Sequence, residues 1–431
     1  MTLVLSMLLA AAAAGVSPAV KARDARLAAA VDKLSPAMIA ARQRLHQNPE
    51  LGNREQETAK LVAEHLTALG LEVKTGIAYT GIVATLRGGK PGPLVAVRAD
   101  MDALPVTEDT PLPFKSTKRT SYLGQEVGVS HACGHDIHVA VQMGVAAVLA
   151  GMRAELPGEV QFLFQPAEEG PPPGEEGGAA LMLKEGIWKE RKPKAVFSLH
   201  AAGSVPVGQI NYSPGPAMAA ADGIVIVIKG RQAHGARPEL SVDPIVVASE
   251  VVMAFQTIRS RSTPPLAASV VTIGMFRGGQ RRNIIPAEVE LQGTVRTYDP
   301  KVQDTIERRM REILEGITKA YGASYTLEYN RQYPATVNEV GLTNATLPSL
   351  RRVVGETGVK LVEPLSGSED FSFFSNETPG FMFFLGSLKE GTTSGDHHTP
   401  TFLADDSAVP VGIRAMSTVL LDYLARESGQ R

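Results

Sequence analysis

A single cysteine, Cys133, and a single tryptophan stand in the 431 residues. With no second thiol the chain cannot close an internal disulfide. Aromatic residues make up 5% and the net charge is -2, so no basic, aromatic-studded surface for nucleic acid is expected. The one locally basic stretch, "RGGQRRNII", is short and has no aromatics interleaved. Past the N-terminus no apolar run is long enough to suggest a membrane span. There are no internal repeats. There is also no Gly-x-Ser-x-Gly elbow, which removes one common layout for a nucleophilic hydrolase.

What is present is a chain too long for one growing core, with 44% apolar residues. Two domains are expected, one inserted in the other. Residues 1–22 read as a secretory signal peptide: an apolar run from Leu3 to Ala14, small residues, a turn at Ser17-Pro18 and a cut after Ala22. A frayed amphipathic N-terminus is the alternative. Export to the periplasm or beyond would place Cys133 in an oxidising compartment. It is then either buried, as free cysteines commonly are, or held as a metal thiolate.

Helical periodicity opens at Ser35-Pro36 and again in "REQETAKLVAEHLTALG". Strand-like stretches follow at "LEVKTG", "GIVATLRG" and "PLVAVRADMDALP". A long apolar helix comes after "HACGHD", then "EVQFLFQPAEEG" and "KAVFSLHA" as strands. Alternating strands and helices argue for an α/β domain with a mostly parallel sheet. From Asp222 the pattern becomes β-α-β-β-α-β, an inserted ferredoxin-like α+β domain. The predicted boundaries are therefore 23–221 and 332–431 for the two parts of the catalytic domain and 222–331 for the insert. "GPPPGEEGG" reads as a surface loop.

Chemistry-bearing residues gather where strands end. Asp100 and Asp102 follow "LVAV", Glu168 and Glu169 follow "VQFLF", His200 ends "AVFSLH", and Cys133 and His135 precede a helix. In open α/β sheets these ends line the ligand crevice. His397 and His398 arrive late, in "SGDHHTPTF". Thiolate, imidazole and carboxylate are the donors of zinc and related cations, and adjacent glutamates can divide the work of ligand and proton carrier. Any one of these residues alone reads better as an ordinary hydrogen-bonded or solvated side chain. Their conjunction is what points to a divalent-metal hydrolase.

Together "HACGHDIHVA", "QPAEEG", "SLHA", "RADMDALPV", "AHGARP", "GSEDFSFF" and "HHTP" resemble the dinuclear-metal aminoacylase/carboxypeptidase family of amidohydrolases. The resemblance runs from about Ser35 to near the C-terminus. It is strongest to the branch with hippurate hydrolases, N-acyl-amino-acid amidohydrolases and auxin-conjugate hydrolases. It implies two divalent metal ions (zinc, manganese, nickel or cobalt) held by Cys133, His135, Glu169, His200 and His398. It also implies a metal-activated water with Glu168 as general acid/base, and cleavage of the amide bond of N-acyl amino acids. His234 resembles a histidine that reaches a partner subunit's site to steady an oxyanion, and this implies a homodimer through the inserted domain. Asn283 and Arg296 resemble residues that meet the substrate carboxylate, which suits the two-pronged guanidinium.

Other positions are read as supporting. His131 and His138 flank the ligands, and His397 adjoins one. Relatives outside the branch carry a histidine where Arg98 stands, so Asp100 is expected to stay behind the ligands. Glu369 and Asp370 either support the metals or line the pocket. A dipeptidase or carboxypeptidase with the same site is the nearest rival. A non-catalytic periplasmic binding protein for metal or peptide is a third reading, but it has no use for Glu168.

Overall fold

The computed structural model describes residues 16–429. The apolar run Leu3–Ala14 of the expected signal peptide lies outside them. The first part of the chain carries helices α1 (Pro18–Gln47), α2 (Gln56–Ala68), α3 (His135–Gly151) and α4 (Gly178–Lys184). Its strands are β1 (Glu72–Ile77), β2 (Gly81–Arg87), β3 (Lys90–Asp100), a hairpin of β4 (Arg119–Tyr122) and β5 (Gln125–Gly128), β6 (Pro157–Gln165), β7 (Val196–Pro206), β8 (Ile210–Tyr212) and β9 (Gly215–Met218). The insert holds β10 (Ala220–Lys229), β11 (Ala233–His234), α5 (Pro244–Arg261), β12 (Ser269–Gly278), β13 (Ile284–Ile285), β14 (Glu288–Thr297), α6 (Pro300–Tyr321) and β15 (Ser324–Tyr333). The chain returns through β16 (Thr336–Asn338), α7 (Val340–Val354), β17 (Val359–Leu361), α8 (Phe371–Glu377), β18 (Gly380–Leu388) and α9 (Ala408–Glu427).

An eight-stranded sheet, in the order β1-β2-β6-β3-β7-β18-β8-β17, forms the catalytic domain. Its centre, from β6 through β3 and β7 to β18, is parallel. β6 and β18 are buried almost throughout, and β3 and β7 over most of the stretches where they pair with their central neighbours, as a sheet covered on both faces requires. α1, α3 and α9 pack together on one face, with Val31, Met143 and Leu420 in the same apolar cluster. The composition of α9 alone would pass for a membrane span, contrary to the reading that only the N-terminus is so apolar. In the fold 72% of its most apolar window is buried inside the domain.

The insert is a four-stranded antiparallel sheet ordered β12-β14-β10-β15, backed by α5 and α6. This is the ferredoxin-like order. Its own core, Ile224, Phe255, Leu291 and Ile306 among others, is separate from the main one. α6 shows why periodicity found it: Val302, Ile306, Met310 and Leu314 recur on one face and are all buried.

One helix start differs from the sequence reading. α1 begins at Pro18, capped by the Ser17 hydroxyl, which accepts from the Val20 N–H. It runs unbroken through Ala22 and through Ser35-Pro36. The Ser35 hydroxyl donates back to the Val31 carbonyl at 2.7 Å instead of capping a new helix. Pro36 removes one internal hydrogen bond, and burial of Leu27, Val31, Met38 and Leu45 on both sides of it outweighs that loss. α3 likewise starts at His135, directly after Gly134 with φ 90, so His135 sits in the first turn.

Candidate metal centre

Five segments converge at the carboxyl ends of the parallel strands. β3 ends on Asp100. β6 ends on Gln165 and leads into Pro166-Ala167-Glu168-Glu169. His200 lies within β7. Cys133 and His135 sit at the start of α3. His397 and His398 come from the loop before α9. The turn carrying Cys133 is fixed from behind: buried Asp136 takes Arg42 Nε and His46 Nδ1, each at 2.8 Å, from α1. Burial would raise its pKa, but Arg42 and His46 prevail and hold it well below the usual carboxylate range.

Among the described residues five groups of three donor atoms lie close together; two of them are made only of the expected ligands, and these two share one member. Cys133, His135 and His200 make one; Cys133, Glu169 and His398 make the other. Within each, the ligating atoms lie within 4.8 Å of one another. Cys133 Sγ is 3.5 Å from His200 Nε2, and His398 Nε2 is 3.1 Å from Glu169 Oε1. The histidines are aimed by their other nitrogens. His135 Nδ1 bonds the Asp102 carbonyl and His200 Nδ1 the Ala201 carbonyl, each at 2.8 Å. His398 adopts φ 64 and donates its backbone N–H to the Ala132 carbonyl. All five expected ligands therefore meet in one place.

His138 is excluded as a ligand by its hydrogen bonds. Its Nε2 accepts the Ala201 N–H at 2.7 Å, so its proton is on Nδ1, which donates to Asp100 at 2.5 Å. Both nitrogens are occupied, although the ring lies near His135 and Asp100. His131 is buried and belongs to neither triad. His397 lines the adjoining cavity and packs on His200 and Phe402. Burial, followed by His398 and His138, lowers it to about 4.

Arg98 explains Asp100, Glu369 and Asp370. Its fully buried guanidinium bonds Asp100 at 2.7 Å and Glu369 and Asp370 at 2.9 Å, with Gln165 on Nε. Glu369 and Asp370 thus support the site through Arg98. Asp100 orients His138, a non-ligand, and stays behind the metal positions.

The electrostatics suit cations. Burial, then Glu369, Glu169 and Asp370, push Glu168 well above the usual carboxylate range. Burial and the carboxylates Glu169, Glu168 and Asp100 push the Cys133 thiol up. Burial opposes protonation of His135, yet Asp100 and Asp102 raise it to about 10. Its Nε2 is buried with no hydrogen-bond partner and faces the triads. A dication would satisfy that nitrogen and keep the thiol ionised. The residues fit divalent metal, and thiolate with imidazole and carboxylate is a borderline-soft set.

Beside the triads lies a cavity of about 750 Å³. Cys133, Glu168, Glu169, His200, His397 and His398 line it together with Arg296 and Ser368 and with apolar Met218, Leu365 and Phe384. Arg296 Nη1 reaches Ser368 Oγ at 3.0 Å. His234 and Asn283 do not line it. They sit together on the exposed face of the insert, where Gly235 donates to the Asn283 carbonyl. Within one chain, then, Arg296 is in the cavity and Asn283 is not.

Two supports had no sequence signal. Glu55 holds the Ala167 N–H at 2.9 Å and Thr80 Oγ1 at 2.6 Å. Tyr333, the last residue of β15, donates its hydroxyl to the Glu168 carbonyl at 2.8 Å. Each joins segments distant in sequence.

A two-domain α/β fold with a thiolate-imidazole-carboxylate centre and an adjacent buried glutamate defines a metal-dependent amide hydrolase. Residues 96–422 match the model of Peptidase family M20/M25/M40, and the chain belongs to that family. It is 36% identical over 396 residues to thermostable carboxypeptidase 2 of Saccharolobus solfataricus, covering 91% of this chain and 97% of that one. It is 36% identical over 375 residues to N-acetylcysteine deacetylase of Bacillus subtilis, covering 87% and 93%. Among solved structures it is similar to a dinuclear metal binding peptidase of the M20 family from Bacillus subtilis, with a TM-score of 0.75, 32% identity and coverage of 91% and 99%.

Proposed function

We propose that the protein hydrolyses N-acyl amino acids, with two divalent cations held by Cys133, His135, Glu169, His200 and His398. The observation that carries this is the shared thiol: Cys133 belongs to both donor triads, with Glu168 beside them. When bound, the cations supply Lewis acidity, which activates water and polarises the amide carbonyl. The chain's own groups do the rest. Glu168 takes the proton of the attacking water and passes it to the leaving amine. Its buried place beside the ligands puts it within reach of both the water and the leaving amine. Arg296 grips the carboxylate of the amino acid, and the apolar lining of the cavity receives its side chain.

His234 and Asn283 act in a second copy's site in this reading. Their exposed, adjacent placement supports it. So do exposed Val270 and Phe276 on the edge strand β12 and Val246 and Met253 on α5, which offer a homodimer surface. Analytical ultracentrifugation checks the dimer. The N-terminal segment would export the protein, which N-terminal sequencing of fractionated cells checks. The decisive assay is a panel of N-acetyl, N-benzoyl and dipeptide substrates, with chelator and with zinc, manganese, nickel or cobalt restored. Chelator-sensitive release from the N-acyl set is expected. The similarity to a carboxypeptidase makes peptide cleavage by the same site the second reading. Hydrolysis of peptides alone would establish it.

A further inference from the structure

A second cleft, of about 330 Å³, lies on Glu169, the one residue its lining shares with the substrate cavity. The second cleft is built from the loop 49–54, the segment 103–105, the β4–β5 hairpin and the Pro-rich loop after Gly170. The loop 49–54 packs so closely on the glutamate loop that a Cβ on Gly52 would lie 2.8 Å from the Gly170 carbonyl. One wall of the cleft therefore belongs to the catalytic loop itself.

We infer that this cleft is the acyl subsite, and that it takes extended apolar acyl groups. The assignment rests on the amidohydrolase reading above. A secondary amide is planar and trans, so its acyl chain and its amino-acid Cα leave in opposite directions. With the carboxylate at Arg296 in the larger cavity, the acyl chain is directed past Glu169 into the second cleft. The chemistry of the walls agrees. Leu51, Leu104, Pro105, Tyr122, Leu123 and Pro172 face it. Its charged groups are largely engaged elsewhere: Glu50 accepts the N–H groups of Glu57 and Thr58, and Arg54 pairs with Glu175. Lys118 is exposed, so its ammonium remains hydrated. Leu123 sits at the hairpin tip with φ 51 and is 68% exposed. A leucine in the left-handed region is uncommon, and this one belongs to none of the apolar core clusters.

The test is an acyl-length series, N-acetyl, N-hexanoyl and N-decanoyl derivatives of one amino acid, on the metal-loaded wild type and on Leu123→Asp. At an exposed turn that substitution should leave the fold intact. In the wild type kcat/KM should rise roughly two- to fourfold per added methylene that the cleft buries. Leu123→Asp should lower the decanoyl value about tenfold, mostly through KM, and leave the acetyl value within about twofold. Decanoate should inhibit the wild type competitively and the variant much less. A flat series, or a variant that slows all three substrates equally, overturns the subsite while N-acetyl turnover keeps the amidohydrolase reading. No turnover of any N-acyl substrate overturns both.

Discussion

Glu55, at the entry to α2, accepts the backbone N–H of Ala167 at 2.9 Å across 112 residues of sequence. Ala167 has φ 51, an unfavourable conformation for a residue with a Cβ, and it immediately precedes Glu168 and Glu169. One buried carboxyl therefore holds the backbone turn that aims both glutamates. Glu55→Ala should lower kcat about two- to tenfold, the cost of losing a hydrogen bond to a largely neutral carboxyl, with KM little changed. Glu55→Gln, which keeps an acceptor, should recover most of it. Equal loss in both variants would count against a positioning role.

The same carboxyl makes stability depend on pH. Burial, reinforced by Asp102, raises it from 4.5 to about 8. A carboxyl with a raised folded-state pKa contributes fully below its unfolded value, and the contribution is lost as pH climbs towards the folded value. Urea unfolding at intervals between pH 4.5 and 8 should show a decline in the wild type. Glu55→Gln should flatten that decline.

Removing the proton carrier should separate chemistry from metal binding. Glu168→Gln is expected to lower kcat by at least about a hundredfold, and by up to about ten-thousandfold. Metal content, read by elemental analysis, should stay at the wild-type level.

The shared thiol predicts an asymmetry among ligand variants. Cys133→Ala touches both triads and should reduce bound metal further than His398→Ala, which touches one. Metal stoichiometry after gel filtration compares them. Equal losses would argue that Cys133 serves a single ion.

Arg296 lies in the cavity with Ser368. Arg296→Ala should raise KM about ten- to a hundredfold for substrates with a free carboxylate, the range for a charge-assisted hydrogen bond. Substrates capped as the amide should be nearly indifferent. Steady-state kinetics on the paired substrates decides it.

Much of this was legible without coordinates. The insert showed itself because α6 and the strands around it keep one apolar face, and that periodicity is local. Cys133, His135, Glu168, Glu169, His200, His397 and His398 were readable as candidate donors because strands and a helix start could be placed around them, and the family resemblance narrowed these to Cys133, His135, Glu169, His200 and His398. The start of α1 was not readable. Ser35-Pro36 is a correct local start signal, and packing on α3 and α9 overrides it. Nor was the task of Arg98, whose partners Glu369 and Asp370 arrive some 270 residues later.

The sequence by itself determined the two-domain pattern, the family and the donor inventory, since these follow from residue type and short-range spacing. Only the tertiary structure decided that Cys133 joins two triads and that His138 is spent on Asp100 and Ala201. The fold alone also separates Arg296 from His234 and Asn283 and sets two clefts against Glu169. Those facts depend on distances of a few ångströms between segments far apart in the chain, which are fixed when the sheet assembles and its cores pack.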